Sequence, residues 1–225
     1  MLRVKERSLM QLPKETGSYL PLVRAGLYVS RRMRRDGRES LATDLHTASI
    51  TVRTAGRAWE DASDDVQLGL ADRDACDDVL DLVAQESRLT LASTGISAAK
   101  EAPYTLIFPE GIGYYTAALL DQEVTRYSEL KERLLAHLDA TNPVRVGNVP
   151  RIEAGLADYV SAAAALESAE RAQLLARTHL LHTMRSFIRQ LEKTYGLLVS
   201  EVGKAKAERY FPKVKSKKME DVGQD

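Results

Sequence analysis

The sequence predicts an all-α protein, an elongated helical bundle of five or six helices. Apolar residues recur at helical spacing through most of the chain, and no segment has the alternating pattern of a strand. The stretch from Ser168 to Phe211 contains no proline, which predicts one uninterrupted helix about 65 Å long at ~1.5 Å per residue. Other helices are expected to cover its apolar seam. The residues of this seam recur every seven positions, at Leu174, Leu181, Ile188, Tyr195 and Val202.

Composition limits the class of protein. With 225 residues, of which 44% are hydrophobic, the chain can bury a sizeable core within a single domain, residues 1–225. Basic and acidic residues number 32 each, so no net charge steers the protein to nucleic acid or to an anionic membrane. The single cysteine, Cys76, and an N-terminus without the apolar core of a secretory signal predict a reducing, cytoplasmic location. No cofactor is expected.

Two helices are predicted before residue 60. Ser18 and Pro21 mark the start of the first, because serine can cap a helix and proline is tolerated in its first turn. A cationic run at residues 31–35 suits the negative end of that helix. A second helix begins at Ser40 and carries one apolar face as far as Trp59.

A third helix is predicted to begin at Ser63, which would cap it, and to reach about Lys100. A bend is expected near Thr94 and Gly95. The buried face predicted for this helix consists of Leu68, Ala75, Val79, Leu82, Leu89 and Ile96.

The second half of the chain begins with a proline- and glycine-containing turn at residues 102–111, whose apolar side chains should pack against the bundle. A fourth helix is predicted from Tyr114 to Leu138, followed by a loop at residues 144–149. A fifth helix runs from Arg151 to about Glu167. Ser168 then either caps the sixth helix or lies within one continuous helix.

An internal repeat is a further interpretation. Residues 18–109 and 113–212 are each predicted to hold three helices, of which the last is the longest, and each set ends in Phe-Pro, at Phe108-Pro109 and Phe211-Pro212. Proline after a long helix also arises without duplication. A duplicated three-helix unit therefore stands beside convergence, and residues 213–225 are expected to form a basic, disordered tail.

Two histidines form the only metal-like motif. His179 and His182 are three residues apart on one helix face, a spacing that two ligands of a metal ion can use. In one register of the repeat they correspond to Asp74 and Asp77. Neither histidine has a glutamate three residues before it, as di-iron bundles require, so surface histidines are the favoured interpretation.

The segment from Glu60 to Asp81 is strongly acidic, with nine acidic residues and one base, Arg73. A solvated helix face explains most of it, because the ligand spacing of an EF-hand is absent. Cys76 lies inside this segment, where the negative charges should raise the pKa of its thiol rather than activate it.

Basic residues cluster in two places, which makes nucleic-acid association an alternative function. No aromatic residues alternate with them as a stacking platform would need. The candidate contacts are Arg31, Arg32, Arg34 and Arg35 in the first cluster and Lys213, Lys215, Lys217 and Lys218 in the second.

No phosphate-binding glycine loop or nucleophile motif is present, so the sequence favours a protein without catalytic activity. The preferred hypothesis is a helical scaffold or protein–protein interaction protein that self-associates, or binds a partner helix, through its long last helix. The alternatives are nucleic-acid association and a metal-dependent bundle enzyme centred on His179 and His182.

Overall fold

The computed structural model describes residues 18–212, and this part of the chain is helical with no strand. The all-α prediction is confirmed. None of its helices is both long enough and apolar enough to span a membrane. The elements in order are α1 (Tyr19–Arg35), α2 (Glu39–Ala92), α3 (Tyr104–Ile107), α4 (Gly113–Thr116), α5 (Glu123–His137), α6 (Pro143–Val202) and α7 (Lys204–Ala207), with single 3₁₀ turns at Ala98–Lys100 and Glu208–Tyr210.

The chain divides into two compact units. The first unit combines residues 18–62 with residues 173–212, and the second is the continuous segment 63–172. The long helices α2 and α6 each contribute residues to both units. The predicted repeat of residues 18–109 and 113–212 stays a prediction.

The core of the first unit forms where α1 packs on the first part of α2 and the last part of α6. Ser18 caps α1 as predicted, since its Oγ accepts a hydrogen bond from the Leu20 amide at 3.3 Å. Gly26 sets the approach of the helices, because a Cβ built on it would lie 2.2 Å from Ser49 Oγ and 2.7 Å from the Phe187 ring. Only glycine fits at this contact.

The core of the second unit contains a group of aromatic rings that contact one another. Phe108 and Tyr115 meet edge to face with their centroids 5.7 Å apart, and Tyr127 packs against Tyr115 at 6.3 Å. Ile107 and Phe108 are buried in this core, as expected for the turn at residues 102–111.

Two of the predicted helices differ from those in the structure. Ser63 does not begin a helix, because α2 continues through it from Glu39 to Ala92. No proline or glycine lies at residues 59–65, and serine and aspartate are tolerated within a helix that is held by packing on both sides. The predicted helix from Tyr114 to Leu138 is interrupted at residues 117–122, between α4 and α5.

The predicted loop at residues 144–149 is also wrong. Asn142 caps α6, since its Oδ1 accepts a hydrogen bond from the Val144 amide at 2.9 Å, and Pro143 is the first helical residue. Pro150 lies inside the helix. The fifth and sixth predicted helices therefore form one helix, and Ser168 lies within it rather than capping a new one.

The last helix ends before Phe211. Gly203 has a φ of 79° and terminates α6, after which the chain folds back. The ring of Phe211 consequently packs edge to face on Tyr195 at 5.4 Å. In a continuous helix these two residues would lie about 24 Å apart at ~1.5 Å per residue.

Candidate functional site

The predicted metal ligands lie in different units. His179 and His182 are exposed on α6 in the first unit. Asp74 and Asp77 belong to the second unit, where Asp74 accepts a hydrogen bond from Arg73 Nη2 at 2.6 Å. Within residues 18–212 no three or more histidine, cysteine, aspartate or glutamate side chains are arranged to hold a metal ion.

The arginines predicted to contact nucleic acid have different environments. Arg34 pairs with Glu39 at 3.2 Å, and Arg31 is exposed at the surface. Arg32 and Arg35 line a cavity at the end of α1. The second predicted cluster, Lys213, Lys215, Lys217 and Lys218, lies outside the described residues.

A cluster of carboxyl groups occupies the second unit, between α2 and α5. Asp77 and Asp81 are four residues apart on α2, so they share one helix face. Glu123 and Tyr127 are likewise four residues apart on α5 and face them. Tyr127 donates a hydrogen bond from its hydroxyl to Asp81 Oδ1.

Asp77 and Glu123 form a carboxyl pair at the centre of this cluster. Their side chains are in hydrogen-bond contact with each other. Two of their oxygens, Asp77 Oδ1 and Glu123 Oε2, are buried and have no N–H or O–H donor among the described groups. One proton held by Glu123 supplies the donor that this pair needs.

Burial explains which group holds the proton. Glu123 is only 3% exposed, and burial together with the negative charge of Asp77 raises its pKa to about 7. Burial also raises the pKa of Asp77, although the hydrogen bond from Glu123 opposes this. Glu123 therefore takes up or releases its proton near neutral pH.

The phenol of Tyr127 is held in its neutral form. Burial is the main cause that raises its pKa, and the hydrogen bond to Asp81 adds to it. Burial also raises the pKa of Asp81, while the Tyr127 hydroxyl lowers it. A cavity of about 420 Å³ in the same unit is lined by Tyr159 and Arg73 but by none of Asp77, Asp81 and Glu123. The carboxyl cluster can thus hold a proton, and it lies outside the lining of this cavity.

An exposed apolar stripe runs along the outer side of α2 in the second unit. Leu68, Leu82 and Leu89 are 64%, 50% and 61% exposed. With Ala75 they continue a seven-residue repeat, and Val79 lies between its members. We call these five residues the α2 stripe.

The prediction that the α2 stripe is buried is wrong. A second apolar face of the same helix, at Leu80, Val83 and Leu91, enters the core instead. The two faces have similar apolar content, so spacing alone does not distinguish them. Ile96 also belongs to the predicted face, and it lies beyond the end of α2 and is exposed.

The first unit carries an exposed apolar patch on α6 that is flanked by arginines. Leu174 and Leu181 are seven residues apart and are 65% and 41% exposed. Arg177 and Arg189 are exposed on the same side. We call these four residues the α6 patch. Leu174 and Leu181 were predicted to belong to the buried seam, which in the structure runs through Leu180, Met184, Phe187 and Leu191.

Two acids of the carboxyl cluster, Asp77 and Asp81, were named in the sequence analysis, and the third, Glu123, was missed. Glu123 is a single glutamate after a turn and belongs to no recognisable motif. Its partner Asp77 is 46 positions away in the chain, so the sequence does not show that the two meet. Comparisons of the chain with protein-family models, with curated proteins and with solved structures found no match. The function is therefore inferred from the geometry of the described residues.

Proposed function

We propose that this protein is a helical interaction protein that self-associates by pairing the α2 stripe of one copy with the α6 patch of another. The observation that carries this proposal is the row of exposed leucines at seven-residue spacing on α2. Such a row is the pattern by which one helix packs on another in a coiled coil. Covering it removes apolar surface from water.

Charge favours the α6 patch as the partner of the α2 stripe. Asp72 and Asp78 are exposed beside the stripe, so two α2 stripes placed together would oppose like charges. Arg177 and Arg189 flank the leucines of the α6 patch and can pair with those aspartates. Opposite charges at the edges of a helix pair determine partner choice more than affinity.

A second copy of the chain is the simplest occupant because both complementary surfaces are present on every molecule. A contact between different surfaces of identical chains closes into a symmetric dimer or ring, or continues as a filament. The interaction needs no partner of another kind.

The apolar part of the proposal is tested by the molecular mass in solution. Size-exclusion chromatography with light scattering at micromolar concentration should give a multiple of the 25.0 kDa chain mass. Leu82→Ser should shift the mass toward that of the monomer. Leu119→Ser is the matched control, since Leu119 is 65% exposed but belongs to neither surface. A monomeric wild-type protein would refute self-association.

The charge pairing is tested by two reversed variants. Asp72→Lys with Asp78→Lys, and separately Arg177→Glu with Arg189→Glu, should each weaken self-association. Mixed together, the two variants should associate again, because each supplies the charge that the other lost. Failure of the mixture while both variants remain folded would show that the two surfaces do not meet.

The remaining sequence predictions stay open beside this proposal. The duplicated three-helix unit and the cytoplasmic location are compatible with self-association and do not depend on it. A metal-dependent enzyme at His179 and His182 would need a third ligand, and the described residues place none beside them.

A further inference from the structure

A second functional feature lies at the C-terminal end of α1, in a cavity of about 310 Å³. It belongs to the first unit and includes no residue of the α2 stripe or the α6 patch, so it is independent of self-association. We call it the basic pocket. It is lined by Arg32, Arg35, Asp36, Lys206, Arg209 and Tyr210.

The dipole of α1 accounts for only two of the four cations in the basic pocket. Arg32 and Arg35 lie in the last turn of α1, where cations stabilise the negative helix end. Lys206 and Arg209 come from the opposite end of the chain, and the turn at Gly203 brings them here. Cations from two distant segments therefore converge on one cavity.

Tyr210 forms part of the wall of the basic pocket and contacts Asp36, the one acid among the described lining residues. The tyrosine is 3% exposed, and its hydroxyl donates a hydrogen bond to Asp36 Oδ2. The same hydroxyl accepts one from Arg38 Nε at 3.3 Å. Arg38 in turn pairs with Glu201. These interactions hold the wall in place, and none of them involves the four cations in the lining.

The lining has three positive charges in excess, with four cations against Asp36. None of Arg32, Arg35, Lys206 and Arg209 forms an ion pair within residues 18–212. Like charges gathered around a concave surface repel one another, and a bound anion relieves that repulsion.

Three of the four cations are arginines, whose planar groups bind two oxygens of a phosphoryl group at once. We propose that the basic pocket binds a diphosphate group, either inorganic pyrophosphate or the diphosphate of a nucleotide. The charge of a diphosphate near neutral pH matches the excess in the lining, and the cavity volume accommodates it.

The proposal is tested by isothermal titration of the full chain with inorganic pyrophosphate and with ADP. Saturable binding of pyrophosphate is expected, weakened at least tenfold in Arg35→Gln and in Arg209→Gln. Arg31→Gln is the matched control, because Arg31 is an exposed cation on the same helix that does not line the pocket. Its affinity should equal that of the wild type.

The outcomes separate the sources of the anion. Equal affinity for pyrophosphate and ADP supports a site for the free diphosphate, whereas tighter binding of ADP supports a nucleotide. Absence of saturable binding would overturn the proposal. An equal loss in Arg31→Gln would also overturn it, since only the general charge of the helix would then matter. Binding of single-stranded DNA without binding of pyrophosphate would replace it with a nucleic-acid surface.

Discussion

The carboxyl group of Glu123 lies against that of Asp77, and each has a buried oxygen that no N–H or O–H donor satisfies among the described groups. The two residues come from different helices, α5 and α2. Their contact therefore ties the packing of the second unit to the protonation of one carboxyl group.

Stability should fall as the pH rises from about 4.5 to about 7. The folded protein keeps the Glu123 proton up to a pKa of about 7, whereas the unfolded chain releases it near the ordinary value of 4.5. The stabilisation is thus complete below the unfolded value and is lost as the pH rises through the folded one, a loss of about 3 kcal/mol. Urea denaturation across this range measures it.

Glu123→Gln isolates this effect. Relative to the wild type, the variant should gain stability between pH 5 and pH 8, because the amide cannot ionise and can still donate to Asp77. Glu132→Gln is the control, since Glu132 lies on the same helix with its side chain 70% exposed. Parallel pH profiles of wild type and Glu123→Gln would contradict the assignment.

Two glycines should respond to alanine in opposite directions. Gly26→Ala places a Cβ against Ser49 and Phe187 and should lower the free energy of unfolding by about 1–3 kcal/mol. Gly196→Ala should raise it by about 0.5–1 kcal/mol, because Gly196 lies within α6 with nothing within 4 Å of an added Cβ. Thermal unfolding of the two variants compares them directly. A stabilised Gly26→Ala would show that α1 is less closely packed.

A buried hydrogen bond between α6 and α2 should show energetic coupling. Asn148 Nδ2 donates to Ser87 Oγ at 2.8 Å, and both residues are buried. Asn148→Ala and Ser87→Ala should each cost about 1–2 kcal/mol, and the double variant less than their sum. A double-mutant cycle by chemical denaturation gives the coupling, and additive losses would argue against the bond.

The thiol of Cys76 should react slowly in the folded protein. Burial raises its pKa, and the negative charges of Asp158 and Asp72 add to this. Reaction with a thiol reagent at pH 8 should be slower than in urea by roughly tenfold or more. Asp158→Asn should increase the native rate modestly. Equal rates with and without urea would exclude a protected thiol.

The sequence identifies helices more reliably than their ends. Asn142-Pro143 and Asn148-Pro150 both resemble a capped start, and the structure uses the first pair. Asn148 instead turns its side chain toward Ser87, a contact made only once α2 is in place. Sequence patterns cannot distinguish a residue that caps from one that bonds across helices.

The choice of buried face also depended on contacts far along the chain. Leu80 and Leu82 are equally apolar, but only Leu80 meets the close approach of α6 at Gly155. The same limit applies to Glu123, whose partner Asp77 is on another helix. The negative charge of the 60–81 segment was visible in the sequence, whereas the proton that Glu123 shares with Asp77 was not.

The first unit is formed from two separate segments of the chain, and this affects its folding during synthesis. The segment 63–172 is complete once residue 172 leaves the ribosome, whereas Leu22, Val29 and Leu45 wait for partners beyond residue 173. At a translation rate of ~5–20 residues per second, their apolar faces remain uncovered for roughly ten seconds or more. Helix α1 and the first part of α2 therefore complete their packing later than the segment 63–172.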